Sequence, residues 1–237
     1  LATLLAVDIG NSSLKYGLFD GARSVARGRL PLEGGADLPA ADVLAAVSVN
    51  PPALARLRRI RPALVLGEDL PLPLAVEYDP PEACGRDRVA AAAGALRLVP
   101  SASGVLVLDA GTCLAATLAV RGRGVLGGAI LPGPDLMARA LHEWTAALPR
   151  VSPGPAGEPI GRSTEASIRV GIDAAIAGAA RELIRRAREA APVPIATVAA
   201  GTGAAALRAA VPEIDHIHAD AVLWGVLQAV VARGGIV

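Results

Sequence analysis

Two stretches of the chain repeat one pattern about a hundred residues apart. Residues 4–11 read Leu-Leu-Ala-Val-Asp-Ile-Gly-Asn, and residues 105–112 read Val-Leu-Val-Leu-Asp-Ala-Gly-Thr. Each apolar run is short and closes on a glycine, which predicts a buried β-strand and then a tight turn. Each strand delivers a carboxylate, Asp8 or Asp109, to its turn. Glycine lets the backbone approach a ligand closely, with the N–H groups of Gly10, Asn11, Gly111 and Thr112 free to take phosphate oxygens. The carboxylates can hold a cation that neutralises those oxygens. A lone Asp-x-Gly is a common turn and carries little weight. Two of them, each ending a strand, predict opposed turns that grip a nucleotide triphosphate from both sides.

The surrounding pattern also repeats. Strands are predicted over 3–8, 14–19 and 24–30, with Asp20-Gly21 as a hairpin turn. Further strands follow at 43–49 and 63–66, with a proline-led helix over 52–60 and an alanine-rich helix over 88–99. The second half gives strands at 105–109, 114–120 and 124–126. It adds a helix over 135–148, with Leu136, Ala140, Trp144 and Leu148 on one face. A long helix over 164–190 has Ile168, Ile172, Ile176, Ala179 and Leu183 in phase, and 149–159 is a proline- and glycine-rich loop. A strand at 195–199 runs into Gly201-Thr202-Gly203, and a helix over 219–232 follows. The expectation is a duplicated α/β protein, divided into 1–103 and 104–237.

Composition narrows the class. Hydrophobic residues make up 53% of the 237, yet aromatics only 2%, so Ala, Val, Leu and Ile must build the core. A formal net charge of +1 gives no bulk electrostatic reason to bind nucleic acid or membrane. The two cysteines, Cys84 and Cys113, have no metal-ligand spacing, and Cys84 is expected to be structural. The first residues enter a strand at once, without a basic segment or cleavage site, and the apolar stretch 191–207 contains proline and glycine. The expected location is the cytoplasm. Neither a Gly-x-x-x-x-Gly-Lys-Ser/Thr loop nor a Gly-x-Gly-x-x-Gly after the first strand is present, which argues against P-loop and Rossmann enzymes.

Three further segments carry chemistry. In 78–88 prolines and Gly85 force an irregular loop, and Asp87 stands at the start of a helix between Arg86 and Arg88. Asp is a common N-cap and Arg88 would then be a solvated first-turn residue. The same residues could also place a base beside an anion site, since arginine offers a planar fork for a carboxylate. Residues 126–135 hold paired glycines and a Pro-Gly turn. In 160–165, Ser163 or Thr164 could cap the long helix.

Taken in order, Asp8-Ile9-Gly10-Asn11-Ser12, Gly85-Arg86-Asp87-Arg88, Asp109-Ala110-Gly111-Thr112, Gly127-Gly128-Ala129-Ile130-Leu131-Pro132-Gly133 and Ile160-Gly161-Arg162-Ser163-Thr164 resemble the type III pantothenate kinases of the actin/hexokinase/Hsp70 superfamily. The resemblance implies two ribonuclease H-like (actin-like ATPase) domains with the active site in the cleft between them. It implies ATP-dependent phosphorylation of pantothenate to 4'-phosphopantothenate, the first step of coenzyme A biosynthesis. It also implies a homodimer with shared active sites. The first domain would carry the first phosphate turn and the substrate loop. The second would carry the second turn, dimerisation helices and an adenine site. By the same resemblance Asp8, Ile9, Gly10, Asn11, Ser12, Ser13, Leu14, Lys15 and Thr112 bind ATP. Asp109 ligates a monovalent cation, K⁺ or NH₄⁺, and Asp8 ligates Mg²⁺. Asp87 is the proton acceptor. Tyr78, Gly85, Arg86, Asp87 and Arg88 form the pantothenate pocket, with Arg88 set for the substrate carboxylate. Thr164 reaches the substrate bound to the partner subunit. Ala110 stands where the family often has phenylalanine, and Gly201-Thr202-Gly203 where it often has Thr-Gly-Gly near the adenine.

Other features have plainer readings. His216 and His218 share one face of a short strand without an evident third ligand, so they are expected to be solvated or hydrogen-bonded. Trp144 and Trp224 are expected in the core or at a dimer contact. Lys15, the only lysine, either reaches a phosphate or is simply exposed. Two rival functions stay open: a kinase for another small hydroxy acid, and a non-catalytic regulator that binds nucleotide.

Overall fold

The computed structural model describes residues 2–234. Strands β1 (Thr3–Ile9), β2 (Leu14–Asp20) and β3 (Arg23–Leu30) form an antiparallel meander. Next, β4 (Val43–Ser48) lies parallel to β1, and β5 (Leu64–Val65) parallel to β4. The sheet order is β3-β2-β1-β4-β5. The same path recurs in β6 (Gly104–Ala110), β7 (Cys113–Val120), β8 (Gly124–Pro132), β9 (Ile195–Ala200) and β10 (His216–Ile217). Their order is β10-β9-β6-β7-β8, the first sheet repeated strand for strand. The central strand β1 is buried from Leu4 to Ile9, because elements cover both of its faces, so its sequence is continuously apolar apart from Asp8.

The helices repeat as well. Helix α1 (Pro51–Ile60) links β4 to β5, and α5 (Ala204–Ala210) links β9 to β10. Helices α2 (Arg86–Leu98) and α6 (Ala221–Ala232) follow the last strand of each sheet. Two helices lack a counterpart: α3 (Pro134–Glu143) and α4 (Thr164–Ala190), inserted between β8 and β9.

The two copies meet through α2 and α6. Residues of both helices and of strands from both sheets share one buried cluster. The crossing is close because small residues line it. A side chain at Gly94 would collide with the Ala221 carbonyl, and one at Gly225 with the Ala90 carbonyl. An aromatic-poor composition suits such backbone-to-backbone packing. Phe19 and Trp224 supply a ring pair, edge to face at 5.0 Å.

Several sequence expectations need correction. Helix α2 begins at Arg86, two residues before the expected start, with Gly85 as its N-cap. Asp87 therefore lies inside the first turn and is not the cap. Helix α3 stops at Glu143, because the Thr145 hydroxyl donates to the Leu141 carbonyl at 2.6 Å and the His142 ring contacts the Leu148 carbonyl at 2.9 Å. Its packed face is Met137, Ala138 and Leu141. Trp144 lies beyond the helix and is 85% exposed, so it is not a core residue. Strand β8 runs on through the paired glycines to Pro132. The buried stripe of α4 passes from Ile168 and Ile172 to Ala180, Ile184 and Ala187, since a four-residue repeat drifts around a 3.6-residue helix. Helix α5 was unexpected. No helix among the described residues is long and apolar enough to cross a membrane.

Candidate active site

The two repeated turns face each other. The first joins Ile9 to Leu14 and the second joins Ala110 to Leu114, which are the last register pairs of their hairpins. The Ser12 and Thr112 hydroxyls meet across the cleft at 3.0 Å. One expectation needs revision here. The Gly10 N–H donates to the Ser13 carbonyl at 3.1 Å, and the Gly111 N–H to the Cys113 carbonyl at 2.9 Å. These glycine N–H groups close the turns and are not free donors. The N–H groups of Asn11 and Thr112 make no such bond among the described residues. Ile9 and Leu14 bury their side chains in the core, so only their backbone can face a ligand.

Charge concentrates between the turns. Asp8 is 5% exposed and accepts a hydrogen bond from Lys15 Nζ at 3.2 Å. Lys15 is thus a cleft residue, not a free surface lysine. Burial alone would depress its pKa, but Asp8 and Asp109 together hold it above the ordinary lysine value. Burial pushes the Asp109 carboxyl up to about 6, against the pull of Lys15 and with added repulsion from Asp8 and Asp87. Asp87 is also raised, first by burial and then by the charge of Asp8. The three predicted carboxylates therefore sense one another within one cleft. Among the described residues no three His, Cys, Asp or Glu side chains stand close enough to hold a metal alone. This donor set suits Mg²⁺ bound through one or two carboxylates and the phosphates of a nucleotide. A monovalent cation beside Asp109 would favour its charged form against the burial that raises its pKa.

The proline-rich loop from Tyr78 leads into α2. Arg88 is buried, in contrast to the solvated first-turn reading. Its Nε–H donates to Thr117 Oγ1 at 3.1 Å and Nη2 to the Ala116 carbonyl at 2.9 Å, both on β7 of the second sheet. Its guanidinium lies 5.6 Å from the Tyr78 ring centre, within cation–π range. Gly128 leaves the space this arginine needs, since a side chain there would strike Nη2. Arg86 pairs with Glu68 at 3.1 Å. Cys84 is buried beside this loop, and burial raises its thiol pKa. Among the described residues the buried polar side chains are Asp8, Ser13, Arg88, Thr117 and Thr197, and the first four bond to Lys15, Arg29 or one another. Sequence reading missed Thr117, whose signal was a hydroxyl in an otherwise apolar strand. It also missed Arg29, whose Nε–H donates to Ser13 Oγ at 2.8 Å.

Behind the second turn lies a cavity of about 790 Å³. Gly111, Cys113, Gly133, Thr202, Gly203 and the 153–156 loop contribute to its wall, with α4 and α5 residues on the far side. It is large enough for a nucleoside. Thr164 makes no hydrogen bond through its hydroxyl among the described residues. It opens α4, exposed, while Ser163 caps the helix by accepting the Ala166 N–H at 3.2 Å. His216 and His218 stack at 6.1 Å, with no third ligand among the described residues.

Two mixed five-stranded sheets of matching order, flanked by helices and facing across a cleft, define the actin/hexokinase-like class. A solved structure from Campylobacter jejuni, described as a Baf family transcriptional activator, shares this fold with a TM-score of 0.66. That match is at 16% identity over 97% of this chain and 98% of that one. Within the class, the profile of the type III pantothenate kinases matches residues 42–186. A type III pantothenate kinase of Thermus thermophilus is 32% identical over 254 residues, covering 98% of this chain and 100% of that one. One from Christiangramia forsetii is 42% identical over 116 residues, about half of each chain at 49% and 47%. The chain belongs to the type III pantothenate kinase family.

Proposed function

We propose that this chain transfers the γ-phosphoryl group of ATP to the primary hydroxyl of pantothenate, as a cytoplasmic enzyme of coenzyme A biosynthesis. The observation that carries the reading is that the two Asp-x-Gly turns meet, Ser12 to Thr112 at 3.0 Å, with Asp8 and Asp87 close enough to Asp109 to act on its charge, in a chain of this family. Phosphoryl transfers have loose transition states, so positioning and charge neutralisation supply most of the catalysis. In this reading residues 1–103 and 104–237 form two ribonuclease H-like domains with the active site between them. The Asn11 and Thr112 N–H groups and the Ser12 and Thr112 hydroxyls take phosphate oxygens, and the nucleoside enters the cavity behind the second turn. Mg²⁺, held by Asp8 and the phosphates, supplies neutralising charge, and a monovalent cation is held at Asp109.

Asp87 accepts the hydroxyl proton. Its raised pKa makes it a better base than an ordinary aspartate. Tyr78, Gly85, Arg86 and Arg88 shape the pantothenate pocket. Arg88, with two nitrogens bound to β7, fixes that pocket against the second domain and turns its remaining edge to the substrate carboxylate. The exposed Thr164 hydroxyl completes the partner subunit's pocket in a homodimer. The deciding experiment is ATP-dependent phosphorylation of pantothenate, run in sodium and then in potassium, with other small hydroxy acids alongside. Turnover of pantothenate that rises with potassium is expected. A chain that binds nucleotide but phosphorylates none of these acids contradicts the reading.

A further inference from the structure

Asp8, Lys15 and Arg29 are direct cross-strand partners on β1, β2 and β3. Direct partners share one face of a sheet, so these side chains form a row that starts in the cleft. Asp8 already pairs with Lys15. Arg29 has no carboxylate within ion-pair distance among the described residues, although it is exposed and its charge is close enough to work against that of Lys15. It does not swing free. Its Nε–H is fixed on Ser13 Oγ at 2.8 Å, and the Ser13 carbonyl closes the first turn through the Gly10 N–H. The two terminal nitrogens make no hydrogen bond among the described residues. An arginine held by one nitrogen with its other two open is prepared for an anion.

The second copy of the repeat sharpens the point. The row that reads Asp8, Lys15, Arg29 in the first sheet reads Asp109, Ala115, Ile130 in the second. The fold is kept, the acid is kept, and both cations are replaced by apolar residues. In this row positive charge is thus supplied by the first sheet and not by the second. We propose that Arg29 is a second cationic contact for the terminal phosphates of the nucleotide, anchored to the first turn through Ser13. The inference rests on the nucleotide-binding reading above and adds a residue to it.

The test is calorimetric binding of inorganic tripolyphosphate and, separately, of adenosine, in the presence of Mg²⁺. Arg29→Ala is expected to weaken tripolyphosphate binding about tenfold, the loss of one charge-assisted hydrogen bond, and to leave adenosine binding within about twofold. Arg29→Lys keeps the charge but loses the fork and is expected to fall between the two. Arg23→Ala, at the far end of the same strand, is expected to match the wild type. Arg29→Met keeps the aliphatic stem and is used if the alanine variant melts early. Unchanged tripolyphosphate affinity in Arg29→Ala and Arg29→Met overturns the proposal. So does an equal loss for adenosine, which would indicate a disturbed cleft. Tripolyphosphate binding through Arg29 without pantothenate turnover would uphold this contact and sink the substrate assignment instead.

Discussion

Burial strips water from the Asp109 carboxylate, and Asp8 and Asp87 add negative charge beside it. Lys15 offsets only part of this. A carboxyl held up to about 6 takes its proton more readily in the folded chain than in the unfolded one. Its contribution therefore favours folding at low pH, declines as pH rises from about 4 to about 6, and stays unfavourable above. The resulting cost at neutral pH is about 3 kcal/mol. Asp109→Asn is expected to raise the stability of the ligand-free protein at pH 7.5 by about 1–3 kcal/mol. It should also flatten the decline between about pH 4 and 6, read from urea unfolding across that range. A variant less stable than wild type at pH 7.5 would show that the charge is not opposed. At Asp87 the chemistry, not stability, is at stake. Asp87→Asn keeps the shape and loses the base, so turnover should fall roughly 10²-fold or more while ATP affinity holds. Equal turnover in single-turnover kinetics would remove Asp87 from the reaction.

At the level of elements, the crossing of α2 and α6 ties Asp87, the proposed base, to the fold, because it lies in the first turn of one of the two helices. Gly225→Ala puts a methyl group against the Ala90 carbonyl and must push the helices apart. We expect a loss of about 1–3 kcal/mol in chemical unfolding, with a fall in kcat. Gly178→Ala is the control: it lies on exposed α4 with open space around it, and should be neutral or stabilising by up to about 1 kcal/mol. Unchanged or raised stability in Gly225→Ala would show that helix propensity, not the carbonyl contact, governs the crossing. The strands around these helices were readable because glycine and proline punctuate them, and the two Asp-x-Gly turns disclosed the repeat. Helix α5 was hidden: its run Ala204–Ala210 is nearly uniform alanine, so it has no polar face to set a period. The end of α3 depends on a hydroxyl and a ring meeting carbonyls, which spacing does not reveal. Arg88 looked solvated because first-turn positions usually are, and only the second sheet covers it. Arg29 needed the register of β2 against β3. The acids and the cleft they share were expected from the repeated turns and the family resemblance, but the side chains packed around them, such as Thr117 and Arg29, were not.

For the whole molecule, the open question is whether one chain contains a complete site. The cleft of a single chain gathers both turns, Asp87 and Arg88, yet Thr164 is exposed, with its hydroxyl unused by its own helix cap. If Thr164 serves the partner's pocket, each site draws Asp87 from one chain and Thr164 from the other. Two defective variants should then rescue each other. In a mixed dimer of Asp87→Asn and Thr164→Ala chains, one site carries both defects and the other carries neither. Random reassortment makes about half of the dimers mixed, each with one intact site of two, so about a quarter of wild-type activity should return. The assay is run at low pantothenate, where loss of a substrate contact is felt, after unfolding and refolding the two variants together. Activity equal to the average of the separate variants would place Thr164 outside any shared site, whereas recovery that appears only on co-refolding can arise only from chains that complete each other across a dimer.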